Sequence, residues 1–169
     1  MNFEYVILDF INKIQSPYLT QVMKFFTHIA DAGFIWIVLC IFLLMFKKTR
    51  KIGICIAIAL ILDFVIVNLI LKPLINRPRP FMSRDIAILI KAPIDASFPS
   101  GHSAASFAAS FSVYLYNRKY GVLFMILSSL ISLSRLYFYV HFPSDVVCGI
   151  LLGIGFSYAS YKIQNRYLN

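Results

Sequence analysis

The sequence predicts an all-α fold, a polytopic membrane bundle of about five transmembrane helices with an amphipathic helix lying in the interface at its N-terminus. Three observations carry this expectation. Of the 169 residues, 60% are hydrophobic, more than the roughly half expected of a soluble domain. The mean hydropathy is +0.78. Several runs also approach the roughly 20 apolar residues needed to cross a hydrocarbon core about 30 Å thick.

The elements follow in order. Phe3, Val6, Ile7, Phe10, Ile11 and Ile14 recur at helical spacing, with Glu4, Asp9, Asn12 and Lys13 mostly opposite them, so 3–14 reads as an interfacial helix. Ser16 and Pro17 supply an N-cap and a first helical residue for a second segment running into the membrane. Interfacial helices thus fill 1–24 of a single domain, 1–169.

The first span reads from about Phe25 or Gly33 to Phe46, its start blurred by His28 and Asp31, and it stops at Lys47, Lys48, Arg50 and Lys51. The second covers Ile52 to Leu71. A polar stretch, 72–98, holds Pro73, Pro78, Pro80 and Pro93 and is the natural place for a site. The third span starts within Pro99 to His102 and continues to Tyr116, the fourth covers Tyr120 to Tyr139, and the fifth Ser144 to about Tyr161.

The net charge of +9 does not point to nucleic acid, because no solvated domain is left over to carry a basic face. Anionic headgroups, topology signals and a phosphate site account for it better. Five spans put the loops 47–51 and 117–119 and the C-terminal tail on one side, with eight Lys and Arg and no acid. The other side also carries eight, so the count is tied. Short loops weigh most in the positive-inside rule, which makes the acid-free side cytoplasmic and the long loop extracytoplasmic.

Cys40, Cys55 and Cys148 lie in apolar runs without a CxxC neighbour and read as buried small hydrophobes. Glu4 and Asp9 stand where a signal peptide would be basic, so the first membrane helix is expected to direct insertion.

Three short blocks would be costly near a bilayer unless they served a purpose. Lys72-Pro73-Leu74-Ile75-Asn76-Arg77-Pro78-Arg79-Pro80 sets three cations on a chain stiffened by prolines. Arg79 can bind an oxyanion through two parallel bonds and Lys72 as a point charge; taken alone, the block is equally explained as snorkelling interfacial anchors.

Phe98-Pro99-Ser100-Gly101-His102 precedes a helix rich in small residues, Ser103, Ala104, Ala105 and Ser106. Its free N–H groups and dipole would face the loop and seat an anion. Taken alone, it is equally a serine cap beside an interfacial histidine.

In the block from Ser134-Arg135 to His141 and Asp145, the carboxylate follows the histidine by four residues. A helical turn between them lets the carboxylate reach one imidazole nitrogen, fixing the tautomer and freeing the other nitrogen to attack. Taken singly, Arg135 is a snorkelling cation and His141 a structural hydrogen-bonder.

Together the blocks resemble the three signature motifs of the type 2 phosphatidic acid phosphatase family, membrane relatives of the vanadium haloperoxidases. Lys72, six residues, then Arg79-Pro80; Pro99-Ser100-Gly101-His102; and Ser134-Arg135, five residues, His141, three residues, Asp145 match it in order and spacing. The match covers 72–145. The resemblance implies that Lys72, Arg79 and Arg135, with Ser100 and the Gly101 backbone, bind the phosphoryl oxygens. It implies His141 as nucleophile forming a phosphohistidine, Asp145 as its orienting partner and His102 as general acid, with no metal and no cofactor.

The implied substrate is a lipid phosphate or diphosphate processed at the membrane surface. Undecaprenyl diphosphate is favoured for an outward-facing site in a bacterial plasma membrane, with phosphatidylglycerophosphate or phosphatidate as the alternative. A noncatalytic anionic-lipid binder or transporter would need the cations but not His102, His141 and Asp145. A haem or metal protein is disfavoured, because His28, His102 and His141 lack ligand spacing.

Asp63, an intramembrane carboxylate, is expected to be structural and paired with a neighbouring helix, and Asn68 could position Lys72. The sequence is silent on oligomeric state.

Overall fold

The computed structural model describes residues 3–84 and 86–167. The extreme ends of the expected 1–24 and 1–169 ranges, and Asp85 within 72–145, lie outside the described residues. The described chain is helical, without strands. Its helices are α1 (Phe3–Lys13), α2 (Pro17–Ile29), α3 (Phe34–Met45), α4 (Arg50–Asp63), α5 (Lys72–Ile75), α6 (Gly101–Tyr116), α7 (Arg118–Tyr137) and α8 (Pro143–Tyr167).

Helix α1 has the expected amphipathic pattern, with Phe3 and Phe10 facing outward. Its Leu8 is fully buried against Leu136, Tyr139, Phe142 and Val146, so α1 rests on the bundle. At the start of α2 the Ser16 hydroxyl accepts from Leu19 N at 3.3 Å, and Pro17 occupies the first turn. Helix α2 continues without interruption past residue 24 to Ile29.

The blurred start of the first span is a real break. Asp31–Gly33 forms a 3-10 turn in which Ala32 (φ 51°) and Gly33 (φ 72°) are left-handed. Helices α2 and α3 meet there at 46° and cross a membrane thickness only as a bent pair. The helix starting at Arg50, α7 and α8 are each long and apolar enough to cross alone. Helix α6, with 16 residues, is about 24 Å long. Among the described residues, three helices, or four spans with the bent pair, meet the length and apolarity for crossing where five were expected, and α6 packs among them.

Between α4 and α5 the chain winds as a π-helix over Phe64–Leu71. In an α-helix, residues five and nine positions after Asp63 would lie about 140° and 180° away from it. The wider π turns bring Asp63, Asn68 and Lys72 to the same cavity wall instead.

Helix α6 is central, packed by α4, α7 and α8. Its small side chains Ser103, Ala104, Ala108 and Ser112 are fully buried. A Cβ on Gly149 would stand 2.6 Å from Ser100 O, and one on Gly153 2.4 Å from Ala104 O. Only hydrogen at these positions allows such close packing, the usual way membrane helices gain contact where burial in lipid gives little driving force. Hydroxyls fasten the seam: Trp36 Nε1 donates to Ser106 Oγ at 2.9 Å, and Ser157 Oγ to Ala108 O at 2.6 Å. Cys40 and Cys55 are buried as expected; Cys148 is only half-buried.

Candidate active site

The end of α5, the start of α6, the end of α7 and the start of α8 meet at one end of the bundle, while the turn at 46–49 and the α6–α7 junction at Asn117, followed by Arg118 and Lys119, lie at the opposite end. A cavity of about 1140 Å³ opens among them and is lined by Lys72, Arg79, Gly101, His102, Arg135 and His141. All three blocks therefore contribute to one space. Asp145 and Ser100 stand behind the wall, each fully buried. The Ser100 hydroxyl accepts from Ser103 N at 3.4 Å and Ser103 Oγ at 3.1 Å, capping α6. Its position supports the helix start, and the free backbone face there is at Gly101, where a Cβ would lie 3.6 Å from Lys72 Nζ.

His141 is 1% exposed. Arg79 Nη1 lies 3.2 Å from its Nε2. Because a guanidinium can only donate, Nε2 is the acceptor and the ring proton falls on Nδ1. Nδ1 faces Asp145 Oδ2 at 3.5 Å, outside hydrogen-bond geometry and without another partner. The expected histidine–carboxylate pair is thus present as a long contact. Asp145 is itself held firmly: Oδ2 accepts from Phe142 N at 2.8 Å and Ser97 Oγ at 2.5 Å, and Oδ1 from Arg77 Nη1 at 2.6 Å. Burial pushes His141 down to about 3, and Arg79 and Arg135 add to this against the pull of Asp145. The ring is therefore neutral, with its Nε2 lone pair directed at Arg79 Nη1.

The cations are buried too. Arg79, 3% exposed, donates from Nε to Asp95 O at 2.8 Å, from Nη1 to Val140 O at 2.7 Å and from Nη2 to Asp95 Oδ1 at 2.7 Å. Lys72 Nζ donates to Asp95 Oδ2. Burial draws Arg79 below its ordinary range, while Asp95 pulls it back. Burial also acts upward on Asp95, but Lys72 and Arg79 overcome it and hold the carboxyl down to about 2. Arg135 Nη1 donates to Thr27 Oγ1, and its buried Nε has no partner. His102 Nε2 lies 3.2 Å from Asp31 Oδ1.

Asp63 lines the same cavity, 5% exposed, and its Oδ1 has no hydrogen-bond partner. That oxygen does not make the expected pairing with a neighbouring helix. Beyond Asp63 the cavity becomes apolar, bounded by Ile37 and Ile41 of α3 and by Leu60, Ile61 and the adjoining Phe64. Ile37, Ile41, Ile61 and Phe64 are exposed on the outside of the bundle, so this arm reaches the apolar outer surface between α3 and α4.

The motifs did not single out Thr27, Asp31, Asp95 or Ser97. Asp95 and Ser97 lay within reach of inference, as polar residues just before Pro99-Ser100-Gly101-His102. Arg77 sat inside the first block but turns away from the cavity, linking Asp145 to Glu4 through Nη2 at 2.6 Å and covering the Phe142 ring at 3.9 Å.

Fold and site together define an integral membrane protein with a cationic, histidine-bearing pocket at one end of a helix bundle. Residues 51–168 match the PAP2 superfamily, and the chain belongs to that family. It is 32% identical over 167 residues to an undecaprenyl-diphosphatase of Sulfolobus acidocaldarius, covering 98% of this chain and 80% of that one. It is 30% identical over 147 residues to an undecaprenyl-diphosphatase of Bacillus subtilis, covering 87% and 76%. The crystal structure of a transmembrane PAP2-type phosphatidylglycerolphosphate phosphatase from Bacillus subtilis superposes with a TM-score of 0.81 at 25% identity, covering 97% of this chain and 85% of that one.

Proposed function

We propose that the chain hydrolyses a lipid diphosphate at the membrane surface, with undecaprenyl diphosphate as substrate and undecaprenyl phosphate and inorganic phosphate as products. The observation that carries this reading is the neutral His141, its Nε2 held 3.2 Å from Arg79 Nη1 at the wall of a cavity shared with Lys72, Arg135 and His102. The terminal phosphoryl group would lie among Lys72, Arg79, Arg135 and the Gly101 backbone, which offset its charge as the transition state forms. His141 Nε2 forms a bond to phosphorus while the bond to the leaving oxygen breaks, and His102 gives that oxygen a proton. Asp145 supports the positive charge that develops on His141. Water, losing its proton to His102, then attacks the phosphohistidine and releases phosphate.

The apolar arm between α3 and α4 suits an isoprenoid or acyl tail, which can stay in the bilayer while the headgroup enters from the side. The names of the two diphosphatase relatives favour the isoprenoid; the phosphatidylglycerophosphate phosphatase likeness makes that lipid the alternative. With the basic, acid-free turns on the cytoplasmic side, the site faces outward from a plasma membrane. The test is phosphate release by purified protein from undecaprenyl diphosphate, phosphatidylglycerophosphate and phosphatidate. The diphosphate is expected to give the highest kcat/KM and His141→Ala to abolish release from all three. Release from none of them by folded protein overturns the reading.

A further inference from the structure

We propose that the bent segment joining α2 to α3 is part of the active site, with Asp31 as a positioning residue for His102 and Thr27 as one for Arg135. The proposal rests on the reading of His102 as general acid.

Asp31 Oδ1 lies 3.2 Å from His102 Nε2, and Thr27 Oγ1 accepts from Arg135 Nη1. Thr27 lies in the last turn of α2 and Asp31 opens the 3-10 turn that follows it, so this bend reaches two different motifs across the cavity that both residues line. Both lie outside the residues 51–168 that match the family.

The backbone agrees with this. Ala32 takes φ 51°, a conformation unfavourable for a residue with a Cβ and kept only where the surroundings fix it. It allows the chain to leave α2, turn Asp31 toward His102, and resume as α3 at 46°.

The chemistry asks for such a partner. A general acid must hold its proton until the leaving oxygen needs it, yet His102 shares its cavity with the cations Lys72 and Arg135. His28 of α2 lies near Asp31 as well. A carboxylate at 3.2 Å supplies the opposing charge and favours the imidazolium, while fixing the ring by a hydrogen bond. Thr27 gives one donor of the buried Arg135 a fixed partner, so the guanidinium is held in place before a phosphoryl group arrives.

The test compares Asp31→Asn, Asp31→Glu and His102→Ala on phosphate esters whose leaving groups run from alkyl to nitrophenyl, with melting temperatures in detergent and pH profiles of kcat/KM. Asp31→Asn is expected to lose on the order of tenfold or more on alkyl leaving groups, to lose far less on nitrophenyl phosphate, and to move the alkaline limb to lower pH. Asp31→Glu should recover much of the loss. Thr27→Val should raise KM on every ester alike, and Thr27→Ser should not.

If His102→Ala shows the leaving-group dependence but Asp31→Asn matches wild type or loses equally on all esters, Asp31 does not position the acid. If His102→Ala itself loses equally on all esters, the assignment of His102 as acid fails instead. Wild-type KM in Thr27→Val removes the role given to Thr27.

Discussion

Asp95 lies across Lys72 and Arg79, giving one carboxylate oxygen to each cation. Two oxygens of one anion on two buried cations is also the arrangement a phosphoryl group would adopt there. On the proposed function, substrate displaces or shares this carboxylate. Asp95→Asn should strengthen inhibition by inorganic phosphate or vanadate about fivefold, the equivalent of the ~1 kcal/mol typical of a partly exposed ion pair. Unchanged or weaker inhibition would mean that Asp95 only keeps the two cations in order.

Burial has placed His141 well below its ordinary range, at about 3. Its unfolded counterpart takes up a proton near pH 6.5, so between those values the unfolded chain binds more protons and stability falls as pH drops. The melting temperature of detergent-solubilised protein should decline from pH 7.5 to pH 5, and His141→Gln should flatten that decline. Parallel slopes for the two proteins would show that His141 is not held neutral.

The sequence carried the site further than the fold around it. Lys72, Arg79, Gly101, His102, Arg135 and His141 line one cavity because their chemistry dictated their types and spacing. Asp31 and Thr27 were not legible, since one reads as a polar interruption of a span and the other as an ordinary helical residue; only the 46° bend aims them inward. The π-helix was hidden for a related reason. Phe64-Val65-Ile66-Val67 is as apolar as any α-helical span, and the shift in register shows only in where Asp63, Asn68 and Lys72 point. Helix α1 was legible from its periodicity, but its burial of Leu8 against the α7–α8 turn depends on partners far away in the chain.

The seam between α6 and α8 makes a prediction independent of the chemistry. Since a Cβ at position 153 would meet the Ala104 carbonyl at 2.4 Å, a backbone atom that cannot swing aside, Gly153→Val should cost roughly 1–3 kcal/mol or more. Ser100, capping α6 on the same seam, would shift with it. Thermal unfolding and phosphate release should both fall. A wild-type melting temperature would mean that the helices separate there without penalty.

Lys72, Arg79 and Arg135 are buried, and on the proposed mechanism they supply the positive charge that a divalent metal supplies in other phosphoryl-transfer sites. Activity should therefore persist in excess EDTA. Abolition by chelator and recovery on adding one divalent cation would overturn the assignment of electrostatic stabilisation to these side chains.

The last prediction separates the two histidines. On the proposed mechanism His141 makes the bond to phosphorus, so His141→Ala should form no phosphoenzyme on any substrate. In that mechanism His102 only donates a proton, and the more acidic the leaving group, the less its loss should matter. His102→Ala should regain part of its rate on an aryl phosphate with a good leaving group, whereas His141→Ala should not. Asp145 lies 3.5 Å from His141 Nδ1 and is fixed by Ser97, Arg77 and Phe142 N. Asp145→Asn keeps much of that scaffold but loses the charge that supports the imidazolium, and its activity should fall between the two. Rapid quench with detection of acid-labile phosphohistidine reads the first half of this prediction, and a leaving-group series the second. Equal rescue of both histidine variants, or label trapped on His141→Ala, would reverse the assignment of nucleophile and acid.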